Sequence, residues 1–343
     1  MSSPVSALSA AMAPTAADAT VGTPVLWFVT IGAVVVLLLV DFLITRKPHE
    51  VSMREAVGWS AFYVALPLAF GAWIWSTYGS DRGVEYYTGY LVEKSLSVDN
   101  LFVFIILLGA FAVPRELQQR ALLIGVAGAL VLRGIFIALG AQFIANFSWA
   151  FLVFGAILLI TAVKVLRDTL KGSEHSIEIG SLRTVRFVRR FWPVSDEYQG
   201  ARMSFRRDGR RVLTPMALVV VAILGTDLVF AIDSVPAVFG ITGDPYLVFA
   251  TNAFALLGLR ALYFVLSGYL AGLAYLKPAL AAILVFVGSK MLLVDVYKVP
   301  PLASLAVIIT ILTVAVTASL MRARRQPPVT VEIAHLEAGP TGG

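Results

Sequence analysis

The stretch Glu93-Lys94-Ser95-Leu96-Ser97-Val98-Asp99-Asn100, continued by LFVFIILLGAF to Phe111, decides how the chain folds. It sets two carboxylates and a lysine inside an apolar run that begins near Glu85 and closes at Pro114. That run exceeds the ~20 residues of a straight bilayer span, so it is expected to be tilted, broken or extended beyond the lipid. Ionisable groups at membrane depth are expensive unless paired, hydrated or occupied by an ion, and therefore point to function. A second stretch, GTDLVFAIDSVPAVF from Gly225 to Phe239, repeats the pattern: Asp227 and Asp233 stand six residues apart, as do Glu93 and Asp99.

The rest of the composition suits a membrane solvent. Of 343 residues 59% are hydrophobic and 14% charged, and the mean hydropathy is +0.85. A soluble globule could not bury that much apolar surface, so the expected class is an all-α polytopic membrane protein. Cysteine is absent, which excludes disulfides, thiolate metal sites and cysteine catalysis. His49, His175 and His335 fall in expected loops or the tail, leaving no imidazole in the membrane. The formal net charge of +6 crowds into loops beside apolar spans, where it sets orientation rather than nucleic-acid binding.

In chain order, residues 1–23 lack the basic start of a signal peptide and read as a disordered leader. Nine spans follow. Two N-terminal helices occupy 24–78, a three-helix unit fills 85–166, and a strongly basic loop runs over 167–212. A second three-helix unit covers 213–297, the last span is 302–321, and a polar tail occupies 322–343. Placing the basic loop in the cytoplasm puts the N-terminus outside and the C-terminus inside. Arg46 and Lys47, Arg115 and Arg120, Lys277 and the Arg322 cluster then all become cytoplasmic, and the loop 240–245, without Lys or Arg, becomes external.

The two three-helix units align. Glu93 and Asp99 fall on Asp227 and Asp233, Arg133 on Arg260, and Lys164 on Lys290. Three is odd, so the second copy crosses in the opposite sense, an inverted repeat of the kind that builds midplane sites between discontinuous helices. Pro236 cannot donate to the Ile232 carbonyl and is expected to kink the sixth span beside Asp233. In the third span a break would rest on Ser95, Ser97 and Asn100. In an unbroken helix, residues six apart sit roughly 120° around the axis, so each acid pair would line a wide polar wedge instead.

Glu93, Asp99, Asp227 and Asp233, with Asn100, Ser234 and Asn252, are hard oxygen donors, joined only by the thioethers of Met216 and Met291. The set suits magnesium, calcium or manganese better than zinc or copper. A second interpretation neutralises the acids in structural pairs with Lys94, Arg133, Lys164, Arg260 and Lys290. The two are compatible if a basic group displaces the ion during a cycle, and a proton relay is a third possibility. Asp41 and Asp295, near span ends, read as interface residues. No prosthetic group is expected.

The motifs EKSLSVDNLFVF (Glu93 to Phe104) and GTDLVFAIDSVPAVFGITGDPYLVFATNAFALLGLRALYF (Gly225 to Phe264) resemble the TerC family of integral membrane proteins, whose members include Alx-type proteins. The resemblance spans about Pro24 to Met321. It implies a multi-pass protein of the bacterial inner membrane acting in manganese homeostasis, as an exporter, with relatives linked to tellurite and alkaline stress. The family's membrane acids correspond to Glu93, Asp99, Asp227 and Asp233. Tellurite is an oxyanion, the wrong sign for four carboxylates, so resistance would be indirect. The expected partners are a divalent metal substrate, the bilayer and membrane proteins. An enzyme is not expected: an intramembrane aspartyl protease would need a Gly-x-Gly-Asp signature, and Leu224-Gly225-Thr226-Asp227 is not one. The alternative is a non-transporting scaffold that assembles metal-stress complexes through the basic loop.

Overall fold

Apolar runs bounded by proline, glycine or a capping side chain become helices throughout the computed structural model. It describes residues 20–44, 52–147, 149–170, 183–195, 197–207, 210–266, 275–293, 296 and 299–325. The helices are α1 (Pro24–Ile44), α2 (Met53–Tyr78), α3 (Ser80–Ala110), α4 (Arg115–Asn146), α5 (Ala150–Leu170) and the short α6 (Arg183–Phe191). After a hairpin, β1 (Ser204–Arg207) and β2 (Arg210–Leu213), come α7 (Pro215–Phe239), α8 (Pro245–Leu257), α9 (Leu259–Leu266), α10 (Leu276–Leu292) and α11 (Pro301–Arg325). Ser52 caps α2 by accepting from the Glu55 amide, and Asp244 caps α8 by accepting from the Tyr246 amide at 2.9 Å.

Helix α8 is buried nearly all round and forms the centre of the bundle. Around it, α3 packs on α8 much as α4 packs on α7, and α5 pairs with α10. Close approach is local chemistry. Gly125 and Gly128 on α4 face Ile223 and Leu224 on α7, where added methyl groups would lie 2.5 Å from each side chain. Where α5 crosses α10, a methyl on Gly155 would lie 3.0 Å from the Gly288 carbonyl, and one on Gly288 would lie 3.1 Å from the Gly155 carbonyl. Helices α1 and α11 keep large apolar side chains such as Phe28, Val29, Leu302 and Val314 exposed, as lipid-facing surface requires.

Seven helices among the described residues are long and apolar enough to cross a membrane, with α8 and α9 counting as one. The nine expected spans include two that fall outside this set. Helix α3 is long enough at 31 residues but carries six charged side chains, and α10 has only 17 residues. The expected breaks also move. Helix α3 is continuous through Ser95, Ser97 and Asn100, and α7 is continuous through Pro236, which lies so close to the helix end at Phe239 that any bend there redirects only the final residues. The interruption falls at Gly258 instead, between α8 and α9.

Contacts sort the helix ends into two groups. At one end, Thr20 Oγ1 and the Val21 amide donate to Asp244, and Thr242 Oγ1 donates to Glu85 near the start of α3. Lys290 at the end of α10 donates to Ser304 at the start of α11. At the other end, Tyr198 Oη donates to the Phe111 carbonyl at 2.8 Å, Arg120 lies over the Phe42 ring, and the Tyr275 amide donates to Ser319. Thr20 and Val21, expected within the disordered leader, are thus bonded to the cap of α8. The rest of that leader, 1–19, and the tail beyond 325 lie outside the described residues, as do His49, His175, His335 and Asp295.

Candidate functional site

Arg133 sits on α4, two turns past the glycine face that brings α4 against α7, and its side chain is 1% exposed. Its guanidinium is a hub. Nε and Nη2 make a bidentate contact with Asp227 of α7 at 3.2 and 3.0 Å. Nη1 pairs with Glu93 of α3 and also donates to Ser234 at 3.1 Å and Asn252 at 3.4 Å. Asn100, with its amide oxygen turned to the guanidinium, accepts from Nη2 at 3.0 Å and donates to the Leu96 carbonyl at 3.1 Å. Five of the expected ligand residues, Glu93, Asn100, Asp227, Ser234 and Asn252, therefore meet from three helices at the arginine of a fourth.

The charge balance of this point is informative. One guanidinium faces two carboxylates, both fully buried, in a medium where an unpaired charge is very costly. Not every polar atom is satisfied: Glu93 Oε2, Ser97 Oγ and Asn252 Nδ2 are buried without a hydrogen-bond partner among the described residues. These donors and acceptors, with the carboxylates, are chemically fit for a hard hydrated cation. As arranged, the two acids are held by Arg133, and no three His, Cys, Asp or Glu side chains among the described residues stand close enough to hold a metal.

The remaining expected site residues separate. Asp233 is half-buried and accepts from Thr161 of α5 at 2.7 Å, on a different face of α7 from Asp227, as the ~120° offset of a continuous helix dictates. The backbone of Asp99 lies in α3, and its side chain lies outside those described. Lys94 donates to the Ala255 carbonyl at 3.3 Å. Lys164 is exposed on α5, close enough to Asp233 to act on it electrostatically. Arg260 is 2.7 Å from Asp41 of α1, so Asp41 is a buried ion-pair partner and not an interface residue. The Tyr63 hydroxyl also bonds Asp41. Sequence reasoning missed Thr161 and Tyr63 and assigned Asp41 to the membrane interface.

Outside the bundle, Tyr198 in the basic segment is buried enough to push its phenol up to about 12.

The chain matches the model of the Integral membrane protein TerC family over residues 78–327. It is 42% identical over 308 residues to an uncharacterised membrane protein of Myxococcus xanthus, covering 90% of this chain and 95% of that one. It is 43% identical over 305 residues to the proposed membrane-bound redox modulator Alx of Salmonella typhi, covering 86% and 94%. A membrane protein of Mycobacterium tuberculosis is 44% identical over 268 residues, covering 78% and 68%. No solved structure matches.

Proposed function

The chain belongs to the TerC family of multi-pass integral membrane proteins, and from that premise we propose that it moves divalent cations, exporting manganese from the cytoplasm across the bacterial inner membrane. The observation that carries this is the clamp itself. Glu93 and Asp227, the first acid of each motif, converge from α3 and α7 on Arg133 inside a shell of Asn100, Ser234 and Asn252 oxygens. In a transport cycle Arg133 is the internal counter-ion: it neutralises the acids when no cation is bound and yields them when one enters. A group that competes with the cargo prevents an uncompensated charge from crossing the low-dielectric core. Proton exchange is available as the driving reaction, and no enzymatic step is needed. A protein without cysteine cannot exchange disulfides. Metal export is the route by which such a protein would act on redox state, as the name of its Alx relatives suggests.

Alternating access is supported by the packing. α3 on α8 and α4 on α7 are the contacts that a two-fold exchange of the units interconverts, and α5 on α10 maps to itself. The sorting of helix ends also supports nine crossings with the two termini on opposite sides. α3 runs from the Thr242 end to the Tyr198 end, and α10 from the Ser319 end to the Ser304 end. At 1.5 Å per residue, the 17 residues of α10 make about 26 Å, enough to cross when shielded by neighbours.

The test is cellular manganese content under a manganese load. Cells expressing the wild type should hold less metal than cells without it, and Asp227→Asn should return them to the higher level. Equal manganese in all three would refute export. The scaffold alternative is separated by removing 171–212, which should abolish a scaffold's effect and leave export measurable.

A further inference from the structure

Between α5 and α7 the chain concentrates its charge. Residues 183–211 hold nine arginines against three acids, a formal +6 that equals that of the whole chain. The structure gives this segment a shape. Helix α6 buries Val185 and half-buries Val188 on the bundle, packing against α7. Its other side displays Phe187, 61% exposed, and Phe191, 59% exposed, their rings 4.8 Å apart, with Trp192, 50% exposed, beside them. Arg189 and Arg190 are exposed next to these rings. A soluble protein gains nothing by exposing three large aromatics to water, whereas an amphipathic helix on a bilayer surface uses rings to enter the headgroup boundary and arginines to hold phosphates.

The hairpin supplies an independent observation. In its register Arg206 stands opposite Arg211 and Arg207 opposite Arg210, and all four are exposed. Like charges directly across a sheet destabilise it. Two such pairs in four consecutive rungs make sense where anions neutralise them. The hairpin cannot stray far from lipid, since β2 ends at Leu213 and the membrane helix α7 starts at Pro215.

We propose that α6 and the β1–β2 hairpin form a docking surface for anionic phospholipid in the leaflet that surrounds the protein, the aromatics entering the headgroup boundary and the arginines binding its phosphates. The docked unit holds both acid-bearing helices. Tyr198 is bonded to the Phe111 carbonyl at the end of α3, and Thr214, which precedes α7, bonds the carbonyls of Arg202 and Met203. Lipid charge thereby fixes the height of both helix ends. The docking itself does not depend on which ion the bundle carries.

Because the chain has no cysteine, a single Phe191→Cys takes one nitroxide label on the full-length protein. Its access to oxygen and to a water-soluble relaxation agent is measured in nanodiscs of phosphatidylcholine alone and of phosphatidylcholine with phosphatidylglycerol. The expected result is a shift toward oxygen and away from the aqueous agent in the anionic discs. It should be erased when salt rises from ~0.1 M to ~1 M and the screening length falls from ~10 Å to ~3 Å. Serine at Arg206, Arg207, Arg210 and Arg211 together should also remove the shift. Equal access in the two bilayers, whether wet or dry, would overturn the proposal. So would a label that stays wet in both and is shielded only when an RNA oligonucleotide is added. The lipid comparison needs no arginine variant, so misfolding of the serine variant cannot decide it.

Discussion

Arg133 balances two buried carboxylates with one charge, so its loss should be worse than the loss of either partner. Arg133→Ala leaves both acids unpaired, and breaking such a buried pair costs about 3–5 kcal/mol. Thermal unfolding in detergent should show a large drop for Arg133→Ala. Asp227→Asn should give a smaller one, because Glu93 still faces the arginine. The triple change Glu93→Gln, Arg133→Met, Asp227→Asn should recover part of the loss, since a neutral set needs no counter-ion. At Tyr198 the sign concerns pH. Its folded pKa lies above the ordinary tyrosine value of about 10, at about 12. The stability it contributes is therefore full below pH ~10 and is lost as pH climbs through that window. Alkaline unfolding of the wild type should include this step, and Tyr198→Phe should lack it. That Glu93 and Asp227 hold matching places in two motifs was legible in residue types and spacing; that these two of the four named acids meet at one guanidinium was not. Which arginine they share was not, because Arg133 and Arg260 occupy matching positions and only packing against α1 diverts Arg260 to Asp41.

Among elements, the α5–α10 crossing rests on two glycines whose backbones touch reciprocally. Gly155→Ala and Gly288→Ala should each lower the thermal midpoint, because the added carbon meets backbone that cannot rotate away. Gly32→Ala in α1 meets nothing within 4 Å and should raise it slightly, given the ~1 kcal/mol by which alanine exceeds glycine in a helix. Equal effects at the three sites would refute this account of the crossing. Helix existence was readable from apolar runs, whereas helix breaks were misplaced. Pro236 suggested a kink within α7, but it stands only three residues before the helix ends at Phe239, and the chain broke at Gly258 instead. Helix α6 was hidden in what read as a basic loop. Val185 and Val188 give only two apolar points of a helical stripe, and arginine contributes no pattern of its own.

For the whole molecule, the expected orientation rests on where Lys and Arg fall, and the contacts between helix ends sort those ends into two groups. The function is less visible, since acids paired with arginine look alike in a structural bundle and in a transporter between cargoes. What separates the two is movement of an ion. The deciding measurement is manganese flux into proteoliposomes holding purified protein, with magnesium, calcium and zinc as competitors, for the wild type, Glu93→Gln and Asp227→Asn. The expected result is saturable manganese flux in the wild type, lost in both variants although each remains folded. Undiminished flux in the variants, or none in the wild type with any divalent ion under any pH gradient, would contradict an ion site at Arg133.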